Sequence, residues 1–324
     1  MWIESTFTIP SYILLNACLL VISLWVDKLL GEPTRFHPLI GFGYWANHIE
    51  KLCRWIPGLH PKQQGVLAWS LAVLPLVFIC YLLLNQLLAI SLWFWIIFNV
   101  AIVYLTLGGK SLILHADNIY RPLQQGDIEQ ARYHVSRIVS RNTEKMTEDE
   151  IVSSTIESVL ENGNDAVFAP MIWFLLLGAP GALLFRLANT LDAMWGYKTE
   201  QYLWFGWCSA KSDDVLGWLP ARITAFFYAI QGNFHQGFYC WQHQAKLCQS
   251  PNGGVVMTTG AGALGVVIGG PTYYHGVLYD KKPMGIGERA TSEAIYRANR
   301  LVTRGSFALA YLCLFLALIG FCTQ

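Results

Sequence analysis

Three carboxylates stand four residues apart in the stretch Glu157-Ser-Val-Leu-Glu161-Asn162-Gly-Asn-Asp165. On a regular helix that spacing sets them on one face within about two turns, where each like-charged pair costs roughly a few tenths of a kcal/mol. Such a face calls for a compensating cation, either Arg or Lys from elsewhere in the chain or a hard metal such as Mg2+. A solvated acidic face is the plainer alternative. Here, however, the acids lead straight into an apolar run, where unpaired charge is expensive and usually kept for function. Further on, the adjacent Asp213-Asp214 either cap a helix or supply the second half of a metal–carboxylate site. Arg137 and Arg141, four apart, give a cationic face that could answer the acids or hold phosphate; an ordinary salt-bridged surface explains that spacing as well. Asp27, Glu32 and His37 are either ligand or metal contacts or the wet charges of a surface loop.

The elements that position these groups follow from composition. Of 324 residues, 54% are hydrophobic and 13% charged, against about 25% charged in a soluble domain. That marks an integral membrane protein. A net charge of +1, with no basic run or aromatic-plus-basic array, excludes nucleic acid as a partner. The eight cysteines are scattered without a C-x-x-C pair and read as small core residues, not disulfides or zinc ligands. Leu15-Asn16-Ala17-Cys18 looks like a lipoprotein cleavage box. The residues before it carry Glu4 and no Lys or Arg, so residues 11–26 are expected to be a retained first membrane helix.

Residues 65–84 and 87–107 each approach the roughly 20 apolar residues a bilayer core requires, with Asn85-Gln86 as their turn. Before them, Pro33 and Pro38 push Glu32 and His37 out of helical geometry, and 44–62 is expected to form an interfacial helix. Lys and Arg gather at 28–62 and 110–145, which places both segments on the cytoplasmic side. Within the second, Gly126-Asp127 ends one helix and Thr147-Glu-Asp-Glu150 opens another as a capping box. The apolar run 167–187 is cut by Gly178-Ala-Pro180-Gly181 into halves too short to span, so a re-entrant helical hairpin is expected, of the kind tolerated where protein or a cavity surrounds it. Gly260-Ala-Gly262-Ala-Leu-Gly265 matches a dinucleotide fingerprint but lacks a strand before it and a distal acid; it reads as a small-residue helix packed closely in a membrane bundle. Gly109-Lys110-Ser111 lacks the first glycine of a P-loop, and 305–322 closes the chain as a last span. The expected fold is therefore all-α: a polytopic membrane helical bundle with re-entrant or broken helices, a single domain over residues 1–324. A polar, cytoplasmic-side helical segment at about 110–166 is inserted between spans.

Taken in order, the polar blocks resemble the CbiB/CobD family, the adenosylcobinamide-phosphate synthases of cobalamin biosynthesis, over nearly the whole chain. The matching blocks are Asp27-x-x-x-Gly31-Glu32-Pro33 with His37-Pro38, Arg141-Asn142-Thr143, and Glu157-x-x-x-Glu161-Asn162-x-x-Asp165. They continue through Asn189-Thr-Leu-Asp192 with Gly196-Tyr197-Lys198, Asp213-Asp214-Val215 with Pro220-Ala-Arg222, Ser250-Pro251-Asn252, and Lys282-Pro283. The chain departs from the family at Asn142, where Asp is usual.

The resemblance implies an amide ligase that uses ATP and Mg2+ to join adenosylcobyric acid to aminopropanol phosphate or a related amino-alcohol phosphate. Charge and position within these blocks assign Mg2+ to a subset of Glu157, Glu161, Asp165, Asp192, Asp213 and Asp214, and phosphate contact to Arg141, Arg222 and Lys282. Asn162, Asn189 and Asn252 would bond the amides of the corrin, and Asp27, Glu32, His37, Tyr197 and Lys198 would complete the substrate-binding set. No residue is singled out as the base for the amine. The implied partners are the corrinoid and amino-alcohol phosphate substrates and membrane lipid; a homo-oligomer, or docking with other corrinoid-assembly enzymes, stays open. The implied location is the cell inner membrane, multi-pass, with the active face toward the cytoplasm. The competing class is a membrane sensor or regulator similar to AmpE-like proteins, which would not need these acids, asparagines and arginines together.

Overall fold

The computed structural model describes residues 8–33, 37–139, 142–270 and 281–323, and the backbone of 272–274 and 277–279. The chain forms two compact units: Met1–Gly108 with Ala169–Gly217 and Ala310–Gln324, and Gly109–Phe168 with Trp218–Leu309. Among the described residues five helices are long and apolar enough to cross a membrane: Ile9–Leu30, Pro61–Ile90, Leu92–Gln124, Glu148–Trp195 and Ser292–Cys322. The protein is a multi-pass, predominantly helical membrane protein, and all eight cysteines are free thiols.

In the first unit, proline sets three helix starts. Ile9–Leu30, Pro38–Arg54 and Pro61–Ile90 each carry Pro in the first two positions, where the missing N–H would have had no intrahelical acceptor. His37 keeps the extended backbone expected before Pro38, and its Nδ1 accepts the Leu39 N–H at 3.2 Å. The helix it opens starts and ends earlier than the expected 44–62. Phe42, Ala46, Ile49 and Cys53 recur at helical spacing on it and pack with Ala68 and Ala72 and with Leu187, Leu191 and Trp195 into one buried core.

The expected turn at Asn85-Gln86 is overturned, because Pro61–Ile90 runs straight through it. Asn85 Nδ2 donates back to the Tyr81 carbonyl at 2.8 Å, so the amide is satisfied without leaving the helix. The chain turns instead at Ser91, whose extended backbone and Oγ, accepting from the Trp93 N–H, cap the next helix.

The break in 167–187 is present. Gly178 has φ 69° and ψ −164° inside Ala169–Trp195, a region essentially closed to other residues. Eight residues of straight helix span about 12 Å, yet a Cβ on Gly181 would overlap the Trp173 carbonyl oxygen and lie 2.6 Å from Leu177 Cβ. The chain therefore doubles back at Gly178 as a tight helical hairpin, with Leu176 and Leu177 exposed at its tip.

The second unit is built around Glu148–Gly163. Thr147 and Glu150 form the expected capping box, and the helix buries Ile151, Ile156, Val159 and Leu160. Gly126, at φ 75°, separates Gly109–Gln124 from Ile128–Val135, and Asp127 caps the latter. Gly253–Leu264 is buried along all twelve residues, and the strand Val266–Gly269 follows it instead of preceding it, so the glycines serve packing. That strand pairs antiparallel with Pro283–Gly285 and parallel with Glu288–Arg289. Thr272–Tyr274 and Val277–Tyr279 form a separate antiparallel pair. This small sheet was not expected from an all-α reading. Gln244 anchors it, donating to the Gly285 carbonyl at 3.1 Å and accepting the Gly285 N–H at 2.7 Å.

Candidate functional site

The acidic helix face of the second unit meets a cation supplied by the far end of the chain. Glu157, largely buried, forms an ion pair with Lys281. Ser153, one turn earlier, donates its hydroxyl to Glu157 Oε1 at 3.1 Å and accepts the Gly269 N–H at 2.7 Å. One serine thus fixes both the Glu157 side chain and the end of the sheet's central strand. At the helix start, Arg289 Nη2 pairs with Asp149 Oδ2 at 2.5 Å. Between these two ion pairs lies a cavity of about 250 Å³.

One turn further along, Glu161 faces the Ser250–Gly253 loop. A Cβ on residue 253 would overlap Glu161 Oε1, so only glycine lets the backbone come this close to the carboxylate. The loop is tied down by Arg222, whose Nη1 donates to Asn252 Oδ1 at 2.7 Å and to the Trp218 carbonyl at 3.0 Å, while Nη2 reaches the Pro251 carbonyl at 3.3 Å. Ser250 Oγ accepts the Gly253 N–H at 2.9 Å. Burial pushes the nearby Cys248 thiol up in pKa; Lys281 pulls it down, and Glu157 and Glu161 push it up again. One polar locus therefore contains Glu157, Glu161, Lys281 and Cys248.

The regular helix that would put all three acids on one face ends at Gly163, and Asp165 stands in a π-helical turn, Asn164–Phe168. Such turns inside helices recur at functional sites. Asn164, 1% exposed, donates to Asp165 Oδ1 at 2.8 Å and accepts from Thr224 Oγ1 at 2.9 Å. Asp165 is within electrostatic reach of the buried Tyr228. Asn162 turns back on its own helix, donating to the Ser158 carbonyl and hydroxyl.

Most of the remaining candidates lie in the first unit. Asn189 Nδ2 donates to Asp213 Oδ1 at 3.1 Å, Lys211 Nζ pairs with Asp214 Oδ2 at 2.8 Å, and Asp214 acts electrostatically on Asp192. Asp213 and Asp214 are not a helix cap, since their helix begins at Trp207, six residues before them. Glu32 approaches Arg186 at 3.6 Å. Tyr104 donates to the Gly31 carbonyl at 2.6 Å with Asp27 and Glu32 nearby; Asp27 itself is buried. Tyr197 and Lys198 are exposed beyond the Ala169–Trp195 helix. Arg141 falls outside the described residues, and Lys282 is exposed, its neighbour Lys281 holding the carboxylate. Among the described residues no three His, Cys, Asp or Glu side chains are gathered so as to hold a metal.

Reasoning from sequence did not select Ser153, Asn164, Lys281 or Arg289. No spacing rule links Lys281 and Arg289 to a helix more than a hundred residues away. Ser153 carried a weak signal, because it lies four residues before Glu157 on the same face.

Residues 20–302 match the model of a family described as CobD/Cbib protein. Similar curated proteins include a cobalamin biosynthesis protein CobD of Chromobacterium violaceum, 47% identical over 94% of this chain and 97% of its own. Another of that name, from Stutzerimonas stutzeri, is 44% identical over 87% and 92%. A third, from Halalkalibacterium halodurans, is 35% identical over 86% and 90%. No solved structure matches. A family match spanning most of the chain, with relatives aligned almost end to end, establishes that this membrane protein belongs to the CobD/CbiB family of cobalamin biosynthesis.

Proposed function

We propose that this protein is an ATP-dependent amide ligase that joins the carboxylate of adenosylcobyric acid to the amine of aminopropanol phosphate, or a close relative, giving adenosylcobinamide phosphate. The observation that carries the reading is the polar locus of the second unit. There the loop tied down by Arg222 approaches Glu161 closely at Gly253, one turn from the Glu157–Lys281 pair, in a chain of a cobalamin-biosynthesis family.

A carboxylate is a poor electrophile at neutral pH. Transfer of the γ-phosphoryl group from ATP to a carboxylate oxygen gives an acyl phosphate and ADP. The neutral amine then attacks the acyl carbon, the nitrogen loses a proton, the C–O bond to phosphate breaks, and inorganic phosphate leaves. Such a reaction depends on positioning and on compensating phosphate charge more than on covalent help from the protein.

The donor set fits Mg2+ in one mode only. A three-ligand protein cage is absent among the described residues, but Mg2+ is commonly held by one or two carboxylates plus substrate phosphates. Glu161, and Asp165 from the π-helical turn that follows, would hold the ion in this reading, and the ion would supply charge neutralisation at the phosphates. Arg222 and Asn252 keep the loop in register with Glu161. Arg141 and Lys282 are assigned to phosphate, and Asn162 to the corrin amides. The reading places the active face toward the cytoplasm of the inner membrane.

The test is conversion of adenosylcobyric acid by membranes carrying Glu161→Gln or Asp165→Asn, with insertion checked by immunoblot. Both variants are expected to insert normally and lose conversion about 100-fold or more, roughly 2.7 kcal/mol of transition-state stabilisation. Unchanged conversion in both would remove the carboxylates from the reaction.

A further inference from the structure

The helix Phe234–Gln244 of the second unit takes no part in the phosphoryl-transfer scheme, and it carries three stripes of different chemistry. Asn233 opens it, its Oδ1 accepting the Gln236 N–H at 3.1 Å and its own N–H donating to the Ala263 carbonyl at 2.9 Å. Gly237, Cys240 and Gln244 form the stripe turned to the protein. A Cβ on Gly237 would lie 3.2 Å from the Thr259 carbonyl oxygen, Cys240 is fully buried, and Gln244 holds Gly285. Phe234, Phe238 and Trp241, spaced four and three, form the second stripe. Their rings run in a row, Phe234 stacked on Phe238 at 6.0 Å and Phe238 edge to face with Trp241 at 5.8 Å. His235, Tyr239 and Gln242 form the third, with His243 stacked on Tyr239 at 4.2 Å, and all four are exposed.

A helix on the surface of a water-soluble domain needs two faces, one apolar and buried, the other polar and wet. Here small residues fill the buried face, and an aromatic stripe stands outside it with Phe234 and Phe238 exposed. That division suits a helix with protein on one side, acyl chains on the second and headgroups on the third. Eleven residues rise only about 17 Å, too little to cross a hydrocarbon core of about 30 Å. Gln231, three residues before the helix, sets its depth. The Nε2 of Gln231 donates to the Leu301 carbonyl at 3.0 Å, and a Cβ on Gly305 would lie 2.7 Å from it. On Ser292–Cys322 this is where Arg297, Arg300 and Arg304 give way to residues 305–322, which carry no charge. The helix therefore starts level with the polar end of an apolar span, where aromatic side chains collect in membrane proteins. Between Gln231 and Gln249 there is no Asp or Glu, while Lys246 is exposed beside the two histidines. An anionic surface meets a cation there and no like charge.

We propose that Phe234–Gln244 lies in the plane of the bilayer as an anchor on anionic lipid, with Phe234, Phe238 and Trp241 at the acyl boundary and His235, Gln242 and Lys246 among the headgroups. The chain runs on from this helix through Ala245–Leu247 to the Ser250–Gly253 loop, so the anchor holds that loop at a fixed depth. The placement does not depend on the ligase reading.

The test is the depth of spin labels on the full chain in nanodiscs containing phosphatidylglycerol and phosphatidylcholine. Each label sits on one new cysteine after the native cysteines are replaced by alanine: Phe234→Cys or Phe238→Cys on the aromatic edge, Gln242→Cys on the polar one. These side chains are exposed, so the substitutions cost the fold little. Oxygen, which dissolves in acyl chains, should relax the labels at 234 and 238 about threefold more than a water-soluble nickel chelate does, as insertion to the acyl boundary requires. The order should reverse at 242. At equal mole fraction, phosphatidylglycerol with a nitroxide in its acyl chain should quench a bimane at 238 about twice as strongly as the matching phosphatidylcholine, the sign set by attraction of cations to anionic lipid. Nickel relaxing 234 and 238 as strongly as 242 would overturn the proposal, because the aromatic edge would then lie in water. Labels at 234 and 238 closed to both reagents would also overturn it, since a protein partner or a second copy would then cover that edge. Equal quenching by the two lipids would refute the assignment to anionic lipid.

Discussion

Lys281 pairs its ammonium with the Glu157 carboxylate across 124 positions of sequence. The pair locks the strand-rich segment after Gly253–Leu264 onto the acidic face of Glu148–Gly163, and Ser153, bonded to both Glu157 and Gly269, fastens the same seam. Ser153→Ala leaves the Gly269 N–H without its acceptor and Glu157 without its orienting donor. A satisfied hydrogen bond contributes about 1 kcal/mol, and a stranded partner costs about 1–3 kcal/mol. The expected outcome is a loss of that size in detergent-solubilised unfolding.

Gly253→Ala puts a methyl group where Glu161 Oε1 lies. The variant should insert and remain folded, because one flexible carboxylate can swing away, but kcat should fall at least tenfold. Combining it with Glu161→Asp, one methylene shorter, should recover part of the loss. Gly41→Ala, which meets nothing within 4 Å, is the control and should leave turnover unchanged.

Gly178→Ala tests the hairpin. At φ 69° and ψ −164° an alanine is strained by about 1–3 kcal/mol, so thermal unfolding in detergent should shift down accordingly. A shift within error would mean that the chain does not double back there.

Cys248 reports on the charge around the acids. Burial, Glu157 and Glu161 raise its pKa and Lys281 opposes them. With the other seven cysteines replaced, maleimide labelling should therefore accelerate only above the pH at which an ordinary thiol reacts. Glu157→Gln removes a charge that disfavours the thiolate, so the pKa should drop and labelling at pH 8 should quicken. Slower labelling in that variant would separate Cys248 from Glu157.

Much of this was legible in the sequence because the signals were local. Thr147 with Glu150, Gly126-Asp127, and Pro38 after His37 each act within a few residues of the boundary they set, and all three appear where expected. The Gly178 break was visible because Gly and Pro interrupt an apolar run. Asn85 misled, since a polar residue between apolar runs looks like a turn, whereas its amide is satisfied by the Tyr81 carbonyl one turn back. For Asp213-Asp214 residue type allowed a helix cap as one of two roles, but the helix has already begun at Trp207. The π turn at Asn164–Phe168 and the pairing of Val266–Gly269 with Pro283–Gly285 depend on contacts distant in sequence, and periodicity carries no trace of them. The same holds for Lys281 and Arg289, whose partners are set by that sheet.

The central claim is that a corrinoid carboxylate is activated by phosphorylation and captured by an amine on this chain. It is tested most directly by following oxygen. Adenosylcobyric acid labelled with 18O in its free carboxylate is incubated with ATP, Mg2+, aminopropanol phosphate and the purified chain in nanodiscs, and the products are read by mass spectrometry. One labelled oxygen should appear in inorganic phosphate and the other in the new amide, in equal amounts and with ADP formed in step. Label in AMP, or an amide formed with no label in phosphate, would contradict it.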